Sequence, residues 1–181
     1  MLDYASDLEA TVRLEAARYR EVSDHDAAQR PAPGKWSAKE IIGHLIDSAS
    51  NNHQRFVRAN WQDDLVFTGY EQDRWVALQQ YNSAPWNELL DLWLAFNLQL
   101  ARVMDAIPAD VRRRPHSRHN LDQIAFGPVA PGAPVTLDFF MHDYVAHLHH
   151  HLRQIEGLGL PGLVENPGLD PDRRERPAAL S

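Results

Sequence analysis

Residues 143–155 read DYVAHLHHHLRQI, and this stretch decides what kind of fold the rest of the chain builds. It lies inside a helical pattern running from about Val135 to Glu156, with Gly157 placed to stop it. At about 100° per residue, Leu137, Met141, Tyr144, Val145, Leu148, Leu152 and Ile155 form one apolar stripe. His147 and His151, one turn apart, share a shoulder of that stripe with Phe140. His150 projects nearly opposite the stripe's centre, toward solvent, while His149 and His142 occupy the far shoulder. Only the 147/151 pair brings two imidazoles to one point at a core edge, a spacing that suits a single metal ion. The same HLHHH run reads equally well as a solvated face. It is not the zincin motif, which needs Glu after the first His where this chain has Leu148. Nor does a long helix carry the Glu-x-x-His pair of a di-iron bundle.

Working outward, the segment RRRPHSRHNLDQIAFGPVAPGAP (112–134) is rich in Pro and Gly and long enough to be functional rather than a mere connection. His116 and His119 within it are candidates to cover a site or to add a ligand, although loop histidines are more often simply solvated. Before it, Leu89, Leu90, Trp93, Phe96, Leu100, Val103 and Met104 recur at three- and four-residue steps. They define a helix capped by Ser83, with Pro85 and Trp86 in its first turn and Pro108 closing it. A short helical piece is expected around Tyr70 to Tyr81. Ser37 with Glu40 has capping-box spacing and starts a helix running to about Asn60. The first helix covers about Leu2 to Val22, followed by the helix-breaking HDAAQRPAPGKW. Trp36, Trp75, Trp86 and Trp93 read as core or interface packing. Four long helices joined by long loops predict an all-α four-helix bundle over residues 1–163, with a C-terminal tail over 164–181.

Composition narrows the function. The 25 acids against 18 Lys plus Arg leave a formal charge of -7, the wrong sign for a nucleic-acid binder or an anionic membrane surface. The absence of cysteine excludes disulfides, thiolate nucleophiles and Cys-ligated zinc. The charged, amphipathic N-terminus is not a signal peptide, and no apolar run reaches membrane-spanning length. These readings predict a cytoplasmic protein acting on a small molecule, with no nucleic-acid or membrane partner.

A third ligand would come from the second helix. Ile41, Ile42, Leu45, Ile46, Ala49 and Phe56 make its apolar stripe, and His44 stands on the shoulder in line with Ser37, Ser48, Asn51 and Arg55. That seam is either site-facing or merely solvent-facing, and wheel geometry does not choose. Asn51 and Arg55 are candidate substrate contacts, though Arg55 fits better as an ion-pair partner for an acid across the bundle. Asp143, one turn before His147, is a candidate to orient that imidazole or act as a base; an ordinary solvated acid near a helix N-terminus is the plainer reading. Gln154 is a candidate donor behind the His147/His151 edge.

The segment GKWSAKEIIGHLIDSASNNHQRF (34–56), together with DYVAHLHHHLRQI, resembles the DinB/YfiT-like superfamily, and FTGYEQDRWVALQQY (67–81) resembles its YfiT-like branch. The likeness spans roughly Leu2 to Leu160. It implies a bundle in up-down-down-up order, usually dimeric, with one divalent metal ion, zinc or nickel, on His44, His147 and His151. Three imidazoles leave coordination positions open, as in catalytic rather than structural sites. The resemblance implies either a metal-dependent hydrolase or a transferase using a low-molecular-weight thiol as cosubstrate. A non-catalytic metal- or ligand-binding bundle, of a stress-related kind, is the alternative. A fourth protein ligand such as His116 or Asp143 would favour that alternative, and an open cavity would favour the enzyme.

Overall fold

The computed structural model describes residues 1–163, so the tail expected over 164–181 lies outside the described residues. Four long helices dominate: α1 (Asp3–Tyr19), α3 (Ala38–Ala59), α5 (Trp86–Ala106) and α8 (Leu137–Glu156). Shorter helices fill the connections: α2 (Asp24–Ala27), α4 (Gln72–Gln79), α6 (Ala109–Arg112) and α7 (Leu121–Ile124). The described residues contain no β-strand, only isolated bridges pairing Leu65 with His119 and His116 with Val135.

Cross-helix pairs give the direction of each helix. Tyr4 bonds Asp138 and His149 bonds Asp7, while Arg18 at the far end of α1 bonds Glu156, so α1 and α8 run parallel. Leu2 meets Asp105 and the Tyr19 ring packs at a tilt against Trp86, so α5 is antiparallel to α1. Lys39 reaches Ala84 and His53 reaches Phe96, so α3 is parallel to α5. Phe56 packs edge-on against Phe140 while His44 meets His147, which makes α8 antiparallel to α3. The order is therefore up-down-down-up. Parallel neighbours cannot be joined by a tight turn, and residues 60–85 must return the full length of the bundle between α3 and α5. The long loops are a consequence of the topology.

The core is continuous. Leu8, Val12, Tyr19, Ile42, Leu45, Phe56, Leu90, Trp93, Leu100, Met104, Leu148 and Leu152 are all fully buried. Each such large side chain contributes about 1.5–3 kcal/mol relative to exposure. No helix of the structure is long and apolar enough to cross a membrane, among the described residues.

Local signals mostly hold. The Ser37 hydroxyl accepts from the Glu40 N–H at 3.2 Å and the Glu40 carboxylate accepts from the Ser37 N–H at 2.9 Å, the reciprocal capping box. Thr136 caps α8 by accepting from the Phe139 N–H at 3.1 Å, and Gly157 follows as the C-cap in a right-handed conformation. The expected start of α5 needs correction. Ser83 belongs to a 3-10 turn (Tyr81–Ser83), and Pro85 is the N-cap without a side-chain bond. The cap comes from a distant residue: the Trp86 N–H donates to Asp24 Oδ1 at 2.8 Å.

Candidate metal centre

Packing of α3 against α8 brings His44, His147 and His151 together. The Nε2 atoms of His147 and His151 are 3.0 Å apart, and those of His44 and His147 are 3.3 Å apart. All three ligand atoms lie within 4.8 Å of one another. Nitrogens held ~2.1 Å from one ion stand ~3.0 Å apart at a right angle and ~3.4 Å apart at the tetrahedral angle. The observed spacings fall in that interval. The site is therefore able to coordinate a divalent metal, and among the described residues its cluster contains no fourth His, Asp or Glu.

The protonation chemistry agrees with this fit. The His151 Nδ1–H donates to Gln154 Oε1 at 2.8 Å, which leaves the Nε2 lone pair facing the other two rings. The Gln154 amide donates in turn to His150 Nε2 at 3.1 Å, so His150 is engaged away from the cluster. Burial, reinforced by neighbouring imidazoles, holds His44 down to about 3 and His147 well below its ordinary value. His151 is lowered to about 4, again chiefly by burial. All three rings are neutral near pH 7, the form that ligates. His44 Nδ1 is buried without a partner.

Around the cluster, Trp36 lies over His44 and His151, with ring centroids 5.2 and 6.5 Å away. It is half-buried and packs against the core as well as against those two rings. Trp86 and Trp93 are core, and Trp75 packs on Tyr70 at the surface. Phe126 rests on His147 and His150. His150 is therefore half-buried beneath the 112–134 loop instead of projecting into solvent as the isolated helix suggests. His149 pairs with Asp7 at 2.9 Å, outside the cluster.

The weaker candidates divide. Asp143 is buried, not solvated, and its two oxygens accept from the Phe126 N–H at 2.9 Å and the Gly127 N–H at 2.7 Å. It fastens the loop beside the cluster and makes no bond to His147; burial pushes its carboxyl up despite those two donors. Asn51 donates to the Asp47 carbonyl of its own helix and does not line the main cavity. Arg55 is buried, but the acid partner expected for it is not there. Its Nη2 donates to the Thr68 carbonyl at 2.8 Å and its Nη1 to Asn52 Oδ1 at 3.3 Å, with no carboxylate in ion-pair range among the described residues. His116 and His119 are structural: they meet the carbonyls of Asp63 and Ala133 at 3.1 and 2.8 Å and tie the loop to its neighbours.

Residues that the sequence reading passed over include Tyr81 and Gln79, both of which donate to buried Asp47. These bonds pin the end of α4 and the following turn against α3, next to His44. No spacing rule links residues so far apart in the chain.

A cavity of about 400 Å³ opens on His44 and His147. Ser48, Asn52 and Arg55 continue its wall along α3, and Tyr70, Phe126 and Asp143 face them. A volume of this order suits a small molecule.

An up-down-down-up bundle with three histidines converging from its second and fourth long helices defines a distinctive class of helical protein. The chain belongs to the DinB superfamily, whose model matches residues 8–155. Among curated proteins it is 27% identical over 129 residues to OB0782 of Oceanobacillus iheyensis, whose name assigns it provisionally to the metal-dependent hydrolases. That match covers 69% of this chain and 66% of the relative, just under two thirds of its length. Among solved structures, YfiT from Bacillus subtilis, described as "a probable metal-dependent hydrolase with an unusual four-helix bundle topology", aligns with a TM-score of 0.71 at 18% identity. The alignment covers 86% of this chain and 83% of YfiT. The mycothiol-dependent maleylpyruvate isomerase aligns over 93% of this chain and 66% of its own, with a TM-score of 0.53 and 14% identity. These two likenesses concern the fold.

Proposed function

We propose that this protein is a metal-dependent enzyme acting on a small molecule, with hydrolysis as the leading reaction and transfer involving a small thiol as the second. The observation that carries this reading is the three-histidine cluster, without a fourth protein ligand among the described residues, placed at the wall of an open cavity. A structural metal site would be closed by a fourth side chain. The two candidates for that position, His116 and Asp143, are engaged elsewhere.

The chemistry supplied by zinc or nickel when bound is the acidification of a water molecule or of a thiol at an open coordination position. The chain's own contribution is positional. His44, His147 and His151 present neutral lone pairs, Gln154 fixes the tautomer of His151, and Trp36 and Phe126 restrict water around the rings. A chain without cysteine must take any thiol from the small molecule. The thiol reading is supported by the shared fold with a mycothiol-dependent isomerase, and the hydrolase reading by OB0782 and YfiT.

The test is metal analysis of protein purified without a histidine tag, followed by ester, amide and thiol-transfer assays with and without chelator. One equivalent of a divalent metal and chelator-sensitive turnover are expected. Metal-free protein that takes up no zinc or nickel on titration would overturn the reading.

A further inference from the structure

The cavity has a second chemical feature besides the histidines. His44, Ser48, Asn52 and Arg55 recur at four-, four- and three-residue steps, so they form one polar row along the cavity side of α3. Three helical turns, about 16 Å of axis, separate the first from the last. Arg55 is only 7% exposed. A buried guanidinium without a carboxylate beside it is costly to hold and is normally paired. Here two of its N–H groups go to the neutral oxygens of Thr68 and Asn52. Of the five donors on a guanidinium, three remain without a partner among the described residues. Its bond back to Asn52, three residues earlier, turns the head toward the N-terminal end of α3, where His44 lies. Tyr70 lines the same cavity and stands within electrostatic range of Arg55.

The geometry points to a carboxylate-binding subsite at Arg55, supported by Asn52 and Tyr70, that holds the charged end of the substrate while the other end reaches the histidine cluster. This rests on the reading of the cavity as a substrate site. Charge balance selects a carboxylate over a phosphate. Among the described residues Arg55 is the only Lys or Arg lining the cavity, and Asp143 lies in the facing wall, one helical turn before His147. One cation neutralises a planar monoanion, whose geometry matches the guanidinium fork; a dianion would leave excess negative charge facing Asp143. Ile124, Ala125, Phe126 and Phe140 offer an apolar wall for the body of such a molecule.

The test uses hexanoate, its uncharged counterpart hexanamide, and hexyl phosphate as probes, titrated into the full chain by calorimetry or ligand-detected NMR. It is run first with chelator present, so that no metal competes for the anion. Hexanoate should bind at least about tenfold more tightly than hexanamide, the ratio expected from one charge-assisted hydrogen bond. Arg55→Gln should abolish that preference and leave hexanamide binding unchanged, and Arg55→Lys should restore part of it. The acid-to-amide comparison on the unmodified protein holds even if the variants fold poorly. Equal binding of acid and amide, tighter binding of hexyl phosphate, or an acid preference that survives Arg55→Gln would each overturn the subsite. Because this arm needs no metal, its failure is separable from failure to take up zinc or nickel.

Discussion

His147 and His151 face each other Nε2 to Nε2 at 3.0 Å, one helical turn apart on α8, and the third imidazole of the cluster comes from α3. A neutral imidazole carries a single N–H. That of His151 is spent on Gln154, so its Nε2 meets the cluster as a lone pair. An ion satisfies such an arrangement better than protons do.

Replacing His44, His147 or His151 by Ala should therefore remove most of the metal affinity, whereas His149→Ala should change it little. The readout is melting temperature with and without zinc. A ligand at one hundred times its Kd stabilises the folded state by about 2.7 kcal/mol, and this increment should vanish in the first three variants alone. Equal loss in His149→Ala would show a loose polyhistidine surface.

Gln154→Leu should weaken metal binding about 10- to 100-fold, the usual effect of losing a partner that orients a ligating imidazole. His150→Ala should cost less, because it leaves the Gln154–His151 bond in place. Competition with a chromophoric chelator measures both. An unchanged affinity in Gln154→Leu would remove its orienting role.

Without metal, the cluster should make stability depend on pH in the acid range. Folding lowers His44 to about 3 and His151 to about 4, below the ~6.5 of an unfolded histidine. Between those values the unfolded chain binds more protons, so their contribution is complete above about pH 6.5 and is lost as the pH falls toward 4 and 3. Melting of chelated protein between pH 7.5 and 5 should show this fall, and His44→Asn should flatten it. Identical slopes for the two proteins would contradict the prediction.

Asp143→Ala should release the loop over the centre. It leaves the Phe126 and Gly127 N–H groups without their acceptor, at a cost of about 1–3 kcal/mol. Hydrogen exchange at those two amides should accelerate while the α8 amides keep their protection.

Gly43→Ala tests the wall beside His44. A Cβ there would lie 2.1 Å from the Tyr81 ring, which its bond to Asp47 holds in place. The expected loss is about 1–3 kcal/mol, as for overpacking generally, and denaturant unfolding would measure it.

Local chemistry carries a long way in this chain. Apolar periodicity, the Ser37/Glu40 box and the breakers between helices by themselves determine the four long helices, because these signals act within one or two turns. The His147/His151 pair is legible for the same reason, since helical pitch alone puts both rings on one face. Tertiary structure decides whatever depends on a partner distant in sequence. The start of α5 is set by Asp24 rather than Ser83. His44 joins the cluster because α3 packs antiparallel on α8, a matter on which the pattern of α3 is silent. His150 is covered by a loop that no helical wheel contains. Asp143 and Arg55 both depart from their expected roles, the acid tied to loop amides and the guanidinium left without an acid among the described residues, because burial and partner choice are settled only when separate elements meet.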